Sequence, residues 1–305
     1  MDTSVNKGSS ERAGWVMWAI LTVGVVAVSV SAILIRYASV DADGDASPLA
    51  ISFWRCALGS LALVPFARWK KRGTNPLTIK YSVVAGVFLA VHFASFISSV
   101  GLTSVASSVL LVSTTPVFTA LVAWIAFKER LQLLGWIGIG LTLVGVALIG
   151  GGDLGGGSGL GNLLALTGGA TAGGYLIVGA RARRTLGIVE YAVITYTTAG
   201  VLLLAVCLVG DIALWGYGAQ TWWAIVGSVI GPQLLGHTLI NATLSDIDPT
   251  TVAVTIMAEP IIATALAYFL LSESPSLLIY PGGALILLGI YLVTKVSSQP
   301  GVPLE

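Results

Sequence analysis

The chain has 305 residues, 56% of them hydrophobic and 10% charged, with a net charge of +1 and a mean hydropathy of +0.92. A soluble domain carries roughly 25% charged residues, so a mainly soluble protein is excluded, and nothing in the charge balance points to nucleic acid. The two cysteines, Cys56 and Cys207, sit inside apolar runs and offer no disulfide framework.

A membrane-crossing helix needs roughly 20 mostly apolar residues. Ten stretches qualify: Ala13–Ile35, Ser47–Phe66, Ile79–Val100, Thr103–Phe127, Leu131–Gly150, Leu160–Ala180, Val189–Val209, Thr221–Thr243, Thr250–Leu271 and Ser276–Thr294. The first is long enough to cross by itself and does not read as a cleavable leader. All ten are predicted to be helices, because lipid cannot satisfy an open sheet edge. The prediction is an all-α membrane protein of ten transmembrane helices.

Polar residues recur along these spans in chain order. The second span carries Trp54 and Arg55. The third carries Phe88, His92 and Phe96 at spacings of four, on one helical face. The fourth holds Pro116, the sixth Thr167, Thr171 and Tyr175, and the eighth Gln233, His237 and Asn241. The ninth holds Thr251, Thr255, Glu259 and Pro260. Ionisable groups inside a membrane face the protein interior or a water-filled cavity. His92 and His237 therefore line a cavity or hydrogen-bond between helices. Arg55 either snorkels to the outer interface or helps neutralise Glu259 or a substrate carboxylate. At about 1.5 Å per residue the two differ in depth by only about 6 Å. Pro116 and Pro260 are expected to interrupt their helices, as bend points or as static kinks. Trp54, Phe88, Phe96 and Tyr175 lie deep enough to stack on an aromatic ligand or to pack the core. Trp15, Trp18, Trp69, Trp215, Trp222 and Trp223 fall near span ends, as interface belts do.

The connecting segments decide orientation. With the N-terminus inside, thirteen Lys and Arg fall on the cytoplasmic side, only Arg36 outside, and Arg55 within a span. Cytoplasmic loops carry the excess of Lys and Arg, so both termini are expected in the cytoplasm. The Gly-rich run Gly150–Gly161 lacks the Lys-Ser/Thr of a phosphate loop and reads as a flexible linker. The acidic loop Asp41–Asp45 lacks a Glu at the twelfth position of a calcium loop. Two isolated histidines make no zinc set, so no metal and no cofactor are expected.

The chain also contains itself twice. Pro116–Leu148 and Pro260–Leu292 align at a constant shift of 144, with 10 of 33 positions identical. The matches include Pro116/Pro260, Glu129/Glu273, Gly138/Gly282 and Gly145/Gly289. Glu129 is flanked by Lys128 and Arg130, but Glu273 by Ser272 and Ser274. Five spans per copy is an odd number, so the second copy enters the membrane inverted. The expected organisation is a tail at 1–12, a first repeat at 13–150, a linker at 151–159, an inverted repeat at 160–295 and a tail at 296–305. The paired glycines of the fifth and tenth spans serve close helix packing or a homodimer seam.

This spacing of Pro, Glu, Gly and Gly, present twice, resembles the EamA-type repeat of the drug/metabolite transporter superfamily, and within it the bacterial aromatic amino acid exporters. The resemblance implies a ten-helix carrier of small metabolites in the plasma (bacterial inner) membrane, not an enzyme. The residues then expected to bind substrate are His92, His237, Gln233, Asn241, Glu259, Arg55, Trp54, Phe96 and Tyr175, with Pro116 and Pro260 as hinges. Aromatic or other amino acids are the expected cargo. The alternatives are a drug or nucleotide-sugar carrier, and a channel or assembly protein. An intramembrane enzyme would need a nucleophile–base pair or a metal cluster, and the sequence shows neither. The partners implied are a small-molecule substrate and membrane lipid.

Overall fold

A computed structural model describes residues 4–38, 46–69, 75–102, 108, 111–150, 159–271 and 277–297. The loop Asp41–Asp45, the linker at 151–158, Glu273 and the start of the fourth span at 103–107 lie outside these residues. The described residues are helical with no strand, and form ten membrane-crossing segments.

The first crossing runs Ser4–Ser29 and, after a one-residue turn, Ser31–Ala38. The second is Pro48–Leu63, started by the Ser47 hydroxyl accepting the Ala50 N–H at 3.1 Å and ended by a 3-10 turn, Val64–Phe66. The third is Pro76–Leu102, the fourth Thr115–Phe127 and the fifth Leu133–Gly150. The sixth is Gly159–Arg183 and the seventh Ile188–Val209. The eighth is continuous from 219 to 243, the ninth is Pro249–Ile256 followed by Glu259–Leu271, and the tenth is Ile279–Ser297. Six of these are long and apolar enough to span by themselves, and the fourth, fifth, ninth and tenth are shorter apolar helices.

The fourth and ninth spans are broken, not kinked. A turn at Ser113 and Thr114 precedes Thr115–Phe127, and a turn at Met257 and Ala258 precedes Glu259–Leu271. The two turns stand 144 positions apart, in register with the repeat. Pro116 and Pro260 are each the second residue of the helix that follows. In a first turn the missing N–H forfeits no intrahelical bond, so each proline starts a new helix where a bend or kink was expected. The ninth span's Thr251, Thr255 and Glu259 therefore do not share one helical face.

The eighth span also departs from plain α geometry. Val229–His237 is wound as a π-helix around Pro232, and the Thr238 N–H donates to the Gln233 carbonyl five residues back. Spacings of four no longer stack in such a segment. Gln233 turns toward the second span, where a Cβ on Gly59 would meet its Cγ at 2.9 Å. His237 turns elsewhere, into the cavity described below.

Packing follows the inversion. The third span lies on the sixth and, equivalently, the first on the eighth, while the second pairs with the seventh and the fifth with the tenth. A Cβ on Gly138 would meet the Gly289 carbonyl at 2.8 Å, and one on Gly145 would meet the Gly282 carbonyl at 2.5 Å. The shift of 144 carries Gly138 to Gly282 and Gly145 to Gly289. Each contact is thus the image of the other under a two-fold axis. The fold is two inverted five-helix repeats, and these glycines bind the repeats to each other within one chain. An even number of crossings brings Ser4 and Ser297, the outermost described residues, to one face of the bundle, called the terminal face below.

Candidate functional site

A cavity lies between the repeats, with about 110 Å³ of space reachable by the centre of a water molecule. Arg55, His92, Phe93, Phe96, Tyr175, His237 and Glu259 line it, with Ser31, Ser113 and Thr115. The lining comes from the first, second, third, fourth, sixth, eighth and ninth spans, so both repeats build it.

Arg55 is 2% exposed. Its Nη1 donates to Ser31 Oγ at 3.1 Å, and its guanidinium carbon lies 4.5 Å from the centre of the Phe93 ring. A cation over an aromatic face is stabilised by the ring quadrupole. Nε has no hydrogen-bond partner. The side chain therefore points inward and does not snorkel. Glu259 lines the same cavity but makes no ion pair with Arg55, whose polar contact is Ser31. Glu259 opens the helix Glu259–Leu271, where the positive end of the helix dipole favours an anion.

His92 Nδ1–H donates to the Gly168 carbonyl at 2.9 Å, which leaves Nε2 as the acceptor nitrogen of a neutral ring. The imidazole stacks on Phe96 at 6.0 Å and 10°. Phe93 meets His237 edge-on at 5.2 Å, and His237 meets Tyr175 at 6.3 Å. The Tyr175 hydroxyl accepts from Asn241 Nδ2. A relay of rings thus crosses the cavity from the third span to the eighth and the sixth, held at both ends by hydrogen bonds.

Six of the residues expected from sequence meet here: Arg55, His92, Phe96, Tyr175, His237 and Glu259. Three do not line the cavity. Asn241 supports Tyr175 from behind, and Gln233 is fully buried against the second span. Trp54 donates from Nε1 to the Leu214 carbonyl at 2.9 Å and packs edge-on against Trp215 and Trp222, capping the bundle away from the terminal face. Pro116 and Pro260 stand beside Thr115 and Glu259, the first residues of the two broken-helix starts that reach the cavity. Sequence reading passed over Phe93, although the shift of 144 carries it onto His237. Its partner in the repeat is the residue it touches.

Broken spans whose helix starts meet at mid-depth are the form of a secondary transporter's binding site. The comparisons agree with the geometry. An uncharacterized transporter of Synechocystis is 28% identical over 76% of this chain and 72% of its own. The uncharacterized transporter YwfM of Bacillus subtilis is 25% identical over 85% of this chain and 88% of its own. A solved crystal structure of 19% identity superposes with a TM-score of 0.73 over 92% of this chain and 96% of its own, which establishes a shared fold. The EamA-like transporter family matches twice, over residues 13–151 and 159–295. The chain therefore belongs to the EamA-like transporter family of the drug/metabolite transporter superfamily and is a membrane transporter.

Proposed function

We propose that the protein is a secondary carrier that exports small zwitterionic metabolites, aromatic amino acids first among them, across the bacterial inner membrane by alternating access. The observation that carries this reading is the cavity's charge inventory. Among the described lining residues it holds one guanidinium, Arg55, and one carboxyl, Glu259, unpaired with each other and accompanied by aromatic rings. A zwitterion offers a carboxylate to the first and an ammonium to the second. An aromatic side chain then lies among Phe93, Phe96, Tyr175 and the two imidazoles, where stacking adds about 0.5–1.5 kcal/mol beyond area burial. A nucleotide sugar carries two phosphate charges and calls for several cations, whereas Arg55 is the one Lys or Arg among the described residues of the lining. The cations of the connecting segments, among them Arg68, Lys128, Arg130 and Arg184, lie at the terminal face. They support cytoplasmic termini by the positive-inside rule.

The test is efflux from vesicles loaded with labelled phenylalanine, together with counterflow of labelled against unlabelled substrate. Saturable exchange is expected of a carrier and not of a channel. Movement of a dianionic nucleotide sugar without movement of phenylalanine, tyrosine or tryptophan would overturn the reading.

A further inference from the structure

The last turn of the sixth span carries Arg181 and Arg183, and neither reaches the cavity. Arg181 forms an ion pair with Glu129 and lies 4.0 Å over the Phe127 ring, joining the sixth span to the foot of the fourth. Arg183 donates from Nε to the Asn241 carbonyl at 3.1 Å and from Nη2 to the Ala242 carbonyl at 3.4 Å. Those carbonyls end the eighth span, where the helix dipole is negative. One helix end thus holds two neighbours, and both neighbours contribute to the cavity.

Between the cavity and the terminal face the fourth and sixth spans run in direct contact. Thr119, Ala123 and Ala182 are buried there, and a Cβ on Gly173 would meet the Thr119 nitrogen at 2.8 Å. The Arg181–Glu129 pair sits where this closed wall reaches the surface. Its side chains are 15% and 48% exposed, and an ion pair that wet adds little to folding. A small free energy is nonetheless enough to weight two conformations of similar stability. The shift of 144 places Tyr37 at the position of Arg181 and Ser39 at that of Arg183, so the first span has no counterpart in register.

We propose that the Arg181–Glu129 pair is a latch that holds the cavity shut at the terminal face, and that the pair must part for the cavity to open there. The latch acts on access and not on substrate chemistry, so its test needs no substrate. Cys56 and Cys207 are fully buried, so a cysteine placed at the cavity residue Ala172 is the reactive thiol. In the Ala172→Cys background, labelling by a membrane-impermeant maleimide is timed from each face. Glu129→Gln is expected to raise the rate from the terminal face about three- to fivefold, the effect of losing an exposed ion pair, and to lower it from the other face. Glu129→Arg with Arg181→Glu is expected to return both rates toward the parent. Should the swap fail to insert, Arg181→Lys, which keeps a cation beside Glu129, is expected to leave both rates near the parent's, and Arg181→Gln to reproduce the change seen in Glu129→Gln. Equal rates in the parent and Glu129→Gln, or a rise from both faces, would overturn the latch.

Discussion

The two repeats share a scaffold and differ where they touch the cargo. Each contributes a broken span whose second helix begins at the cavity, but the first begins with Thr115 and the second with Glu259. Thr115 spends its hydroxyl locally, donating to the Val112 carbonyl at 2.7 Å and the Gly169 carbonyl at 3.2 Å. Glu259 brings a carboxyl to the matching place. The third span is a regular α-helix, whereas its partner, the eighth, carries the π segment around Pro232. Duplication supplies a symmetric frame, and departures from symmetry supply a site that tells one end of a molecule from the other.

The comparison breaks most completely where the repeats must stay alike. Gly138→Leu is expected to cost on the order of 2–3 kcal/mol, because its side chain would meet the backbone carbonyl of Gly289, which cannot turn aside as a side chain could. Gly140→Leu, with nothing within 4 Å of its Cβ, is expected to change stability by less than about 0.5 kcal/mol. Melting temperatures in detergent distinguish the two. Equal loss in both would mean that the seam is not tightly packed.

A smaller effect is expected where the repeats differ. Glu259→Thr gives the second repeat the residue of the first and should lower transport of a zwitterionic substrate at least tenfold, about 1.4 kcal/mol. An analogue that keeps the carboxylate and lacks the ammonium should lose much less. Transport assays on purified protein in vesicles measure both, and an equal loss for the two substrates would remove the ammonium role from Glu259.

The smallest effect concerns His92, whose bond to Gly168 ties the third span to the sixth. His92→Leu forfeits about 1 kcal/mol of hydrogen bonding and should lower transport roughly fivefold. Insertion should be unaffected, since leucine is favoured in hydrocarbon. The Gly168 carbonyl keeps the Thr171 hydroxyl as a donor at 3.2 Å, which limits the damage. Parental transport by a stable variant would return His92 to a purely structural role.

Much of this was legible in the sequence, for identifiable reasons. The ten apolar runs and the repeat are one-dimensional signals, so the spans and the inversion could be counted. Arg55, His92, His237 and Glu259 were conspicuous because charge is rare in lipid, and they do converge. Pro116 and Pro260 marked where the helices are interrupted, but Ser113-Thr114-Thr115 and Met257-Ala258-Glu259 share no residue, so that each interruption is a full break rather than a kink was not legible. Gln233 was misplaced because a spacing of four implies one face only in an α-helix, and Pro232, visible in the chain, was not taken as a sign of π winding. The glycines of the fifth and tenth spans read as close packing or a homodimer seam, but that they pack on each other, like the Arg181–Glu129 pair, depends on which helices become neighbours, and no local pattern encodes that.

The seam of the fifth and tenth spans carries one more consequence. Its contacts, Gly138 with Gly289 and Gly145 with Gly282, are exchanged among themselves by the two-fold axis. If the repeats trade conformations as the cavity changes sides, every contact off the axis must be remade, but this set maps onto itself. The seam can therefore stay fixed as a stationary axle while the spans around the cavity rock about it.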